Sequence, residues 1–167
     1  WIAYHWLYEL IVYAFYRAFG LFGIALYTTI LTLAITAALH ALLRRYVGDL
    51  LIATGLTALA LAGMYPVLSQ PRPWLFNVLF LILELTVILD VRRTGEARRL
   101  WTLPPLFFVW ACINIQFVYG LFVLGLAAIE AVIAHRSDRP AIARPVQLKP
   151  LLGGLAACVL ATCLTPY

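Results

Sequence analysis

The sequence predicts an all-α polytopic membrane protein with about six transmembrane helices and one interfacial helix. Of its 167 residues, 65% are hydrophobic and 11% are charged, whereas soluble domains carry about 25% charged residues. The apolar residues form long uncharged runs, and a bilayer core of about 30 Å requires about 20 such residues in a helix. Basic residues cluster between the runs. This composition excludes a soluble protein.

The first elements follow from uncharged runs and from the residues that interrupt them. Residues 6–19 are rich in Trp and Tyr but contain Glu9 and Arg17, and they are too few to cross a bilayer, so an interfacial helix is predicted. The first span, 21–43, is closed by Arg44 and Arg45. The second span, 50–68, is followed by the sequence Ser-Gln-Pro-Arg-Pro, which cannot continue a helix.

The second half of the chain contains a longer uncharged run. The third span, 74–90, carries one acid, Glu84, before its last residue, Asp90, and leads into a basic stretch. No residue from 100 to 129 is charged, and this run is too long for one straight span. A hairpin of two short helices, 100–113 and 117–135, is therefore predicted, with its polar turn buried in protein or lining a wet cavity. The last predicted span is 150–165.

The basic residues indicate the topology. With these six spans, ten of the 12 basic residues fall on one side, which is cytoplasmic by the positive-inside rule. The predicted cytoplasmic loops are 44–49, 92–99 and 136–149. Arg17 and Arg72 lie on the opposite side. Residues 1–167 are expected to form a single transmembrane domain in the bacterial inner membrane, as an internal part of a longer chain.

His40 and Glu84 are ionisable residues within predicted spans. His40 ends a helical stripe of hydroxyl side chains, and Glu84 shares a face of the third span with Asn77. The stripe consists of Thr29, Thr32 and Thr36. Counted from the cytoplasmic ends, His40 and Glu84 lie at similar depth, so we expect them to form an intramembrane polar pair. Such a pair serves either as polar glue between helices or in ligand, proton or substrate binding.

Other polar residues are candidate site residues at the membrane surface and in the hairpin turn. Arg72 lies between two prolines and next to Trp74, and its planar fork suits a phosphate group such as that of a polyprenyl-phosphate lipid. The alternative role of both residues is interfacial anchoring. Asn114 and Gln116, in the predicted hairpin turn, are further candidates for binding the substrate or lipid phosphate.

Soluble-enzyme motifs are absent from the sequence. His5 and Glu9 are one helical turn apart and are weak candidates for acid-base chemistry, but two residues do not make a metal site. No zinc-ligand spacing, glycine-rich phosphate loop or nucleophile elbow occurs. The three cysteines are expected to be buried small residues. No metal, cofactor or nucleic acid is indicated, and the expected surroundings are the lipid bilayer.

Four stretches, in order, resemble a family of bacterial membrane proteins related to C-type glycosyltransferases. In chain order, the four stretches are Tyr4-His5-Trp6-Leu7-Tyr8-Glu9-Leu10 with Tyr16-Arg17-Ala18-Phe19-Gly20, Gln70-Pro71-Arg72-Pro73-Trp74-Leu75-Phe76, Arg99-Leu100-Trp101-Thr102-Leu103-Pro104-Pro105 with residues 110–120, and Thr165-Pro166-Tyr167. They are similar to the family's His-Glu-Trp-Leu with Tyr-Arg-Leu-Gly-Gly, Ala-Arg-Pro-Gln-Leu-Phe, Trp-Ala-Asn-Leu-His-Gly-Gly-Phe and Asn-Pro-Tyr-Gly. The sequence departs from the family at Tyr4-His5, which stands for His-Glu, and at Cys112 and Asn114, which stand for Asn and His.

The resemblance implies sugar transfer from a polyprenyl-phosphate donor at the outer membrane face. It places the interfacial helix in the first external loop, and it places the usual acidic general base before Trp1. The departures from the family pattern leave open that the catalytic activity has been lost. Two other functions also stay open: a non-catalytic subunit that packs with partner membrane subunits in a respiratory or photosynthetic complex, and a transporter fragment with Glu84 as proton carrier.

Overall fold

The computed structural model describes residues 5–136 and 148–165, and the described part of the chain consists of helices and short connections, without strands. The helices are α1 (Trp6–Phe19), α2 (Leu21–Val47), α3 (Leu50–Leu68), α4 (Trp74–Thr94), a 3₁₀ helix (Ala97–Thr102), α5 (Leu103–Ile113), α6 (Phe117–Arg136) and α7 (Leu148–Cys163). The predicted all-α class is confirmed, and α1 and α3 have the predicted bounds.

Four helices among the described residues are long and apolar enough to cross a membrane. They are α2, α3, α4 and the stretch Phe117–Ala134 of α6. The other two predicted spans are shorter, since α5 has 11 residues and α7 has 16. A span of average thickness needs about 20 residues. The structure therefore supports four full-length spans by length and composition, where six were predicted.

Helices α2 and α4 extend past the charged residues that were expected to end them. Arg44 and Arg45 lie in the last turn of α2, which is followed by Gly48 with φ +73°. In the same way α4 continues to Thr94 and is followed by Gly95 with φ +76°. Glycine adopts this left-handed conformation without strain, which makes it the usual residue just past a helix end. The predicted loops 44–49 and 92–99 were therefore too long.

The predicted fourth and sixth spans also differ from the observed helices. Residues 97–102 form a 3₁₀ helix, and α5 begins only at Leu103. Two prolines, Pro104 and Pro105, occupy the start of α5. Proline is tolerated there because the first N–H groups of a helix have no partner within the helix. Helix α7 begins and ends two residues earlier than predicted. Residues 137–147, most of the predicted loop 136–149, lie outside the described residues, as do Tyr4, Pro166 and Tyr167.

The chain divides into two compact units, and the division falls within α4 after Leu83. In the first unit α1 and α3 both pack against α2. The buried core of this unit consists of Tyr27, Leu31, Ile35, Leu68, Leu75 and Ile82. The three α2 residues in this set are spaced by four and so lie on one face of the helix.

The second unit is organised around α7, which packs against α5, α6 and the 3₁₀ helix. Its fully buried side chains include Phe107, Trp110 and Leu151. A Cβ atom at Gly154 would lie 3.6 Å from Cβ of Leu100, so α7 closely approaches the 3₁₀ helix at that point. Of the glycine pair on α7, only Gly154 makes such a contact, since Gly153 faces open space.

Candidate functional site

The strongest candidate site lies in the short connection between α3 and α4. Helix α3 ends at Leu68 and α4 begins at Trp74, so Arg72 is held on a five-residue segment that contains two prolines. The backbone of the segment is tied at both ends. Arg72 N–H donates to the carbonyl of Gln70 at 2.8 Å, and Phe76 N–H donates to the carbonyl of Pro73 at 3.1 Å. Hydrogen bonds therefore hold the backbone on both sides of Arg72.

A cleft of about 200 Å³ opens beside this segment. Its lining residues are Pro66, Val67, Gln70, Arg72 and Trp74. Most of this lining is apolar, and Arg72 is its charged member. Sites for whole small molecules usually measure about 300–1,000 Å³. The cleft is therefore large enough for a small group only, next to an apolar surface.

Arg72 makes no ion pair with an acidic side chain among the described residues. Other arginines of the chain do: Arg92 is bonded to Glu130, and Arg99 lies 2.8 Å from Glu96. An exposed guanidinium next to an apolar cleft retains its full hydrogen-bonding capacity for a ligand. The five N–H donors of arginine match a phosphate or carboxylate group in two-point contacts.

Helix α1 contributes a tyrosine to the same segment. The hydroxyl of Tyr8 donates a hydrogen bond of 2.5 Å to the carbonyl of Pro71, although 63 residues separate the two in sequence. Burial raises the pKa of Tyr8 above its usual 10.0, while the nearby positive charge of Arg72 acts in the opposite direction. The phenol therefore stays a hydrogen-bond donor at neutral pH and holds α1 to the connection.

An aromatic cluster positions these elements in the first unit. The ring of Tyr27 on α2 is 2% exposed and contacts three other rings. Ring centroids lie 6.2 Å from Tyr8, 5.9 Å from Phe15 and 6.1 Å from Phe76. Phe76 lies in the first turn of α4. Because one buried ring contacts α1 and the first turn of α4 at once, Tyr27 positions both helices relative to α2.

Helices α1 and α2 approach each other closely at Gly23. A Cβ atom at this position would lie 2.1 Å from the carbonyl oxygen of Phe15 and 3.3 Å from Cβ of Phe19. The reversal between the helices occurs at Gly20, whose φ is +60°. Only glycine at position 23 therefore permits α1 to lie where Tyr8 reaches the connection.

The predicted catalytic candidates lie at the beginning of α1. His5 precedes the helix, and Glu9 is an exposed residue of its first turn, where its N–H donates to the His5 carbonyl at 2.9 Å. A carboxylate in the first turn of a helix interacts favourably with the helix dipole, which is a sufficient structural role for Glu9. Among the described residues no group of three potential ligands for a metal ion occurs. The catalytic role of both residues stays a prediction.

A second, larger cleft of about 470 Å³ lies on the α2 side of the same connection, bounded by Ser69 and Pro71. The α2 residues that line it are Leu21, Ile24, Ala25, Thr28 and Thr29. The two threonine hydroxyls donate to the carbonyls one turn earlier, at 2.9 and 2.8 Å. Since these hydroxyl protons are already engaged, the cleft offers mainly apolar surface.

The hydroxyl stripe of α2 faces α3 over its second half. Thr32 donates to the carbonyl of Leu68 at 3.5 Å, and Nδ1 of His40 lies 3.3 Å from Oγ1 of Thr57. Thr57 is itself buried on α3. His40 therefore has a hydrogen-bonding partner on α3 within the first unit.

Glu84 lies in the second unit and is completely buried. Neither of its carboxylate oxygens has a hydrogen-bond partner among the described residues. The predicted pairing of His40 with Glu84 stays a prediction. What the structure adds is that His40 bonds to Thr57.

The predicted polar turn between α5 and α6 is confirmed at residues 114–116. Asn114 is 3% exposed, and its Nδ2 lies 3.4 Å from Oε1 of Gln116, to which it donates. Arg72 and Trp74 share one cleft in the first unit, whereas Asn114 and Gln116 bond to each other in the second. A joint phosphate-binding role for the four residues stays a prediction.

Three features of the site were not predicted from the sequence. The roles of Gln70 and Pro66 as lining residues depend on where α3 ends, and the Tyr8 to Pro71 bond depends on tertiary structure. The one signal that could have found them is the Pro-Arg-Pro sequence, which marks a rigid connection with a charge at its centre.

Compared with protein-family models, with curated proteins and with solved structures, the chain shows no match.

Proposed function

We propose that this chain is the membrane core of a glycosyltransferase-like protein that binds the phosphate of a polyprenyl-phosphate lipid at Arg72. The observation that carries the proposal is an exposed guanidinium, with no acidic partner among the described residues, at the edge of an apolar cleft lined by Trp74 and Pro66. The guanidinium supplies charge and paired donors for the phosphate. The apolar lining suits the first units of the prenyl chain.

The proposed topology places this cleft at the outer membrane face. We propose six crossings, in which the short helices α5 and α7 also pass through the bilayer, in the bacterial inner membrane. Loops near Arg44, Arg92 and Lys149 are then cytoplasmic by the positive-inside rule. Trp74, at the start of α4, is half exposed at 50%, as is typical of an aromatic side chain at the membrane interface.

In a sugar transfer, this core would bind the donor and stabilise the departing phosphate. Negative charge grows on the lipid phosphate as the bond to the sugar breaks, and a fixed guanidinium stabilises that charge. Tyr8 holds α1 against the connection, which brings the start of α1, with His5 and Glu9, to the acceptor side of the proposed site.

The test is the affinity of the purified chain for a short polyprenyl phosphate, measured by calorimetry in detergent. Hydrogen bonds to charged groups contribute about 1.5–3 kcal/mol, so we expect Arg72→Gln to weaken binding by about 10- to 100-fold. Arg17→Gln, which removes an exposed arginine at the end of α1, is the control and should leave the affinity unchanged. Equal losses in the two variants would refute a site at Arg72, and so would tight binding of the phosphate-free polyprenol.

A second candidate function, a non-catalytic subunit of a larger membrane complex, is favoured by one observation on α3. Its small side chains Thr54, Ala58 and Ala62 recur every four residues and are exposed, and small-residue faces permit close packing of membrane helices. Purification of the chain from native membranes, followed by intact-mass measurement of the complex, tests this function. Recovery of the chain alone would contradict it.

A further inference from the structure

Glu84 is an ionisable side chain in the interior of an apolar helix. It lies near the middle of α4, a helix long and apolar enough to cross a membrane, and its side chain is 0% exposed. Among the described residues, no hydrogen-bond donor and no cation is paired with either carboxylate oxygen. Acidic residues in such positions are rare and are by default candidates for a function.

The neighbours of the carboxyl group are apolar and closely packed. Gly120 on α6 leaves the space in which it lies, because a Cβ atom there would be 2.7 Å from Oε2 of Glu84. The same Cβ would be 2.6 Å from the ring of Trp110 and 2.9 Å from the ring of Phe107, both on α5. We call this space the Gly120 notch. The buried thiol of Cys158 is the titratable group on α7 that interacts electrostatically with Glu84.

An ionised carboxylate in the Gly120 notch would lack both a counter-charge and a hydrogen-bond donor. The cost of burying a charge in apolar surroundings is far larger than the cost of burying a neutral acid, so such groups keep or take up a proton instead. The two buried aromatic rings exclude water from the notch in the observed packing. The surroundings therefore select the protonated form of the side chain.

We propose that Glu84 is an intramembrane proton-binding site, which holds one proton in the Gly120 notch and releases it only when α5 and α6 open enough to admit water or a cation. The ligand of this site is the proton itself. The proposal uses none of the residues of the Arg72 cleft, so either site can fail its test while the other stands.

Infrared spectroscopy of the full chain in lipid vesicles tests the proposal directly. A neutral carboxylic acid has a carbonyl stretching band that a carboxylate lacks. We expect this band at neutral pH and its loss in Glu84→Gln. The control Glu130→Gln should retain it, because Glu130 is exposed and paired with Arg92. Absence of the band in the unaltered chain, or its persistence in Glu84→Gln, would overturn the proposal.

A hydrophobic carbodiimide gives a second test that needs no variant at Glu84. The reagent takes up the acid proton on one nitrogen while the carboxyl oxygen bonds to its central carbon. An acyl shift to nitrogen then leaves a stable N-acylurea, so no atom is lost and the peptide gains one reagent mass. We expect peptide mapping to find Glu84 labelled in preference to Glu130. Equal or preferential labelling of Glu130 would count against a buried neutral acid.

The Gly120 notch has its own matched pair of variants on α6. Gly120→Ala places a methyl group against Oε2 and should shift the frequency of the carboxyl band. Gly125→Ala, with nothing within 4 Å of its Cβ, should leave the band where it was. A band that does not move in Gly120→Ala would show that the carboxyl group lies elsewhere and would refute the proposal.

Discussion

Gly23→Ala is expected to separate α1 from α2 and is the sharpest test of the first unit. The added methyl group would lie 2.1 Å from the carbonyl oxygen of Phe15, far inside an ordinary van der Waals contact. Because that oxygen belongs to the backbone, no side-chain rotation relieves the clash. The end of α1 must therefore move away from α2 by about 1 Å to restore normal contact.

The expected cost follows from two opposing effects. Overpacking of a well-packed interface costs about 1–3 kcal/mol. Replacement of a helical glycine by alanine stabilises the folded state by about 0.5–1 kcal/mol, because alanine loses less backbone entropy on folding. Since the clash involves rigid backbone, we take the upper part of the first range and expect Gly23→Ala to reduce the free energy of unfolding by about 1–2 kcal/mol.

The assay is reversible unfolding of the purified chain in mixed micelles as the denaturing detergent is increased. Gly55→Ala on α3 is the matched control, because its Cβ meets nothing within 4 Å. This control gains the same helix propensity without a clash and should be neutral or slightly more stable. Indistinguishable stabilities of the two variants would refute the close approach of α1 and α2, and with it the placement of Tyr8.

Three further substitutions probe the first unit and are measured in the same unfolding assay. Tyr8→Phe removes the hydrogen bond to the connection and should cost about 0.5–1.5 kcal/mol; no loss would mean that the bond is not formed in the membrane protein. The Asp49 carboxylate caps α3 by accepting a hydrogen bond of 3.0 Å from Ile52 N–H, so Asp49→Ala should cost about 0.5–2 kcal/mol. Asp49→Asn keeps an oxygen that can accept this bond and should retain most of the stability. Leu75→Ala creates a cavity at a side chain that is 0% exposed and should cost about 2–5 kcal/mol. The same change at Leu59, which is 71% exposed, should cost much less, and equal costs would contradict the assigned core.

The interiors of the helices and many of their ends were predictable from the sequence, but the C-terminal ends of α2 and α4 were not. Uncharged runs predicted α2, α3, α4 and α6, because only apolar residues are compatible with both a helix and lipid. The prediction failed where charge was taken as a helix terminator. Arg44 and Arg45 continue α2, since long basic side chains extend their charge away from a helix that stays regular. The helix ends at Val47, just before Gly48, a residue that does not stand out in the sequence.

The candidate site was predictable only in its local part. Arg72 and Trp74 are two residues apart, so their proximity follows from the sequence alone. The contribution of Tyr8 does not, because it comes from a position 63 residues before Pro71. Glycines show the same limit: Gly23 and Gly120 permit close approaches, whereas Gly55, Gly63 and Gly125 meet nothing, and all five look alike in the sequence. Only the arrangement of the helices distinguishes them.

The sparse attachment of α3 has a consequence for how this sequence can change over time. Three of its residues, Ala53, Thr57 and Leu68, are buried, and only 11% of its most apolar 18-residue stretch is buried. Apart from Pro66 and Val67, which line the cleft beside Arg72, most other positions of α3 need only be apolar. In related chains we therefore expect substitutions along α3 to accumulate freely among Leu, Ile, Val and Phe, while a small residue at 53, a hydroxyl at 57 and a large aliphatic residue at 68 persist. Such a pattern of variation would record the contacts of this helix without any further structure.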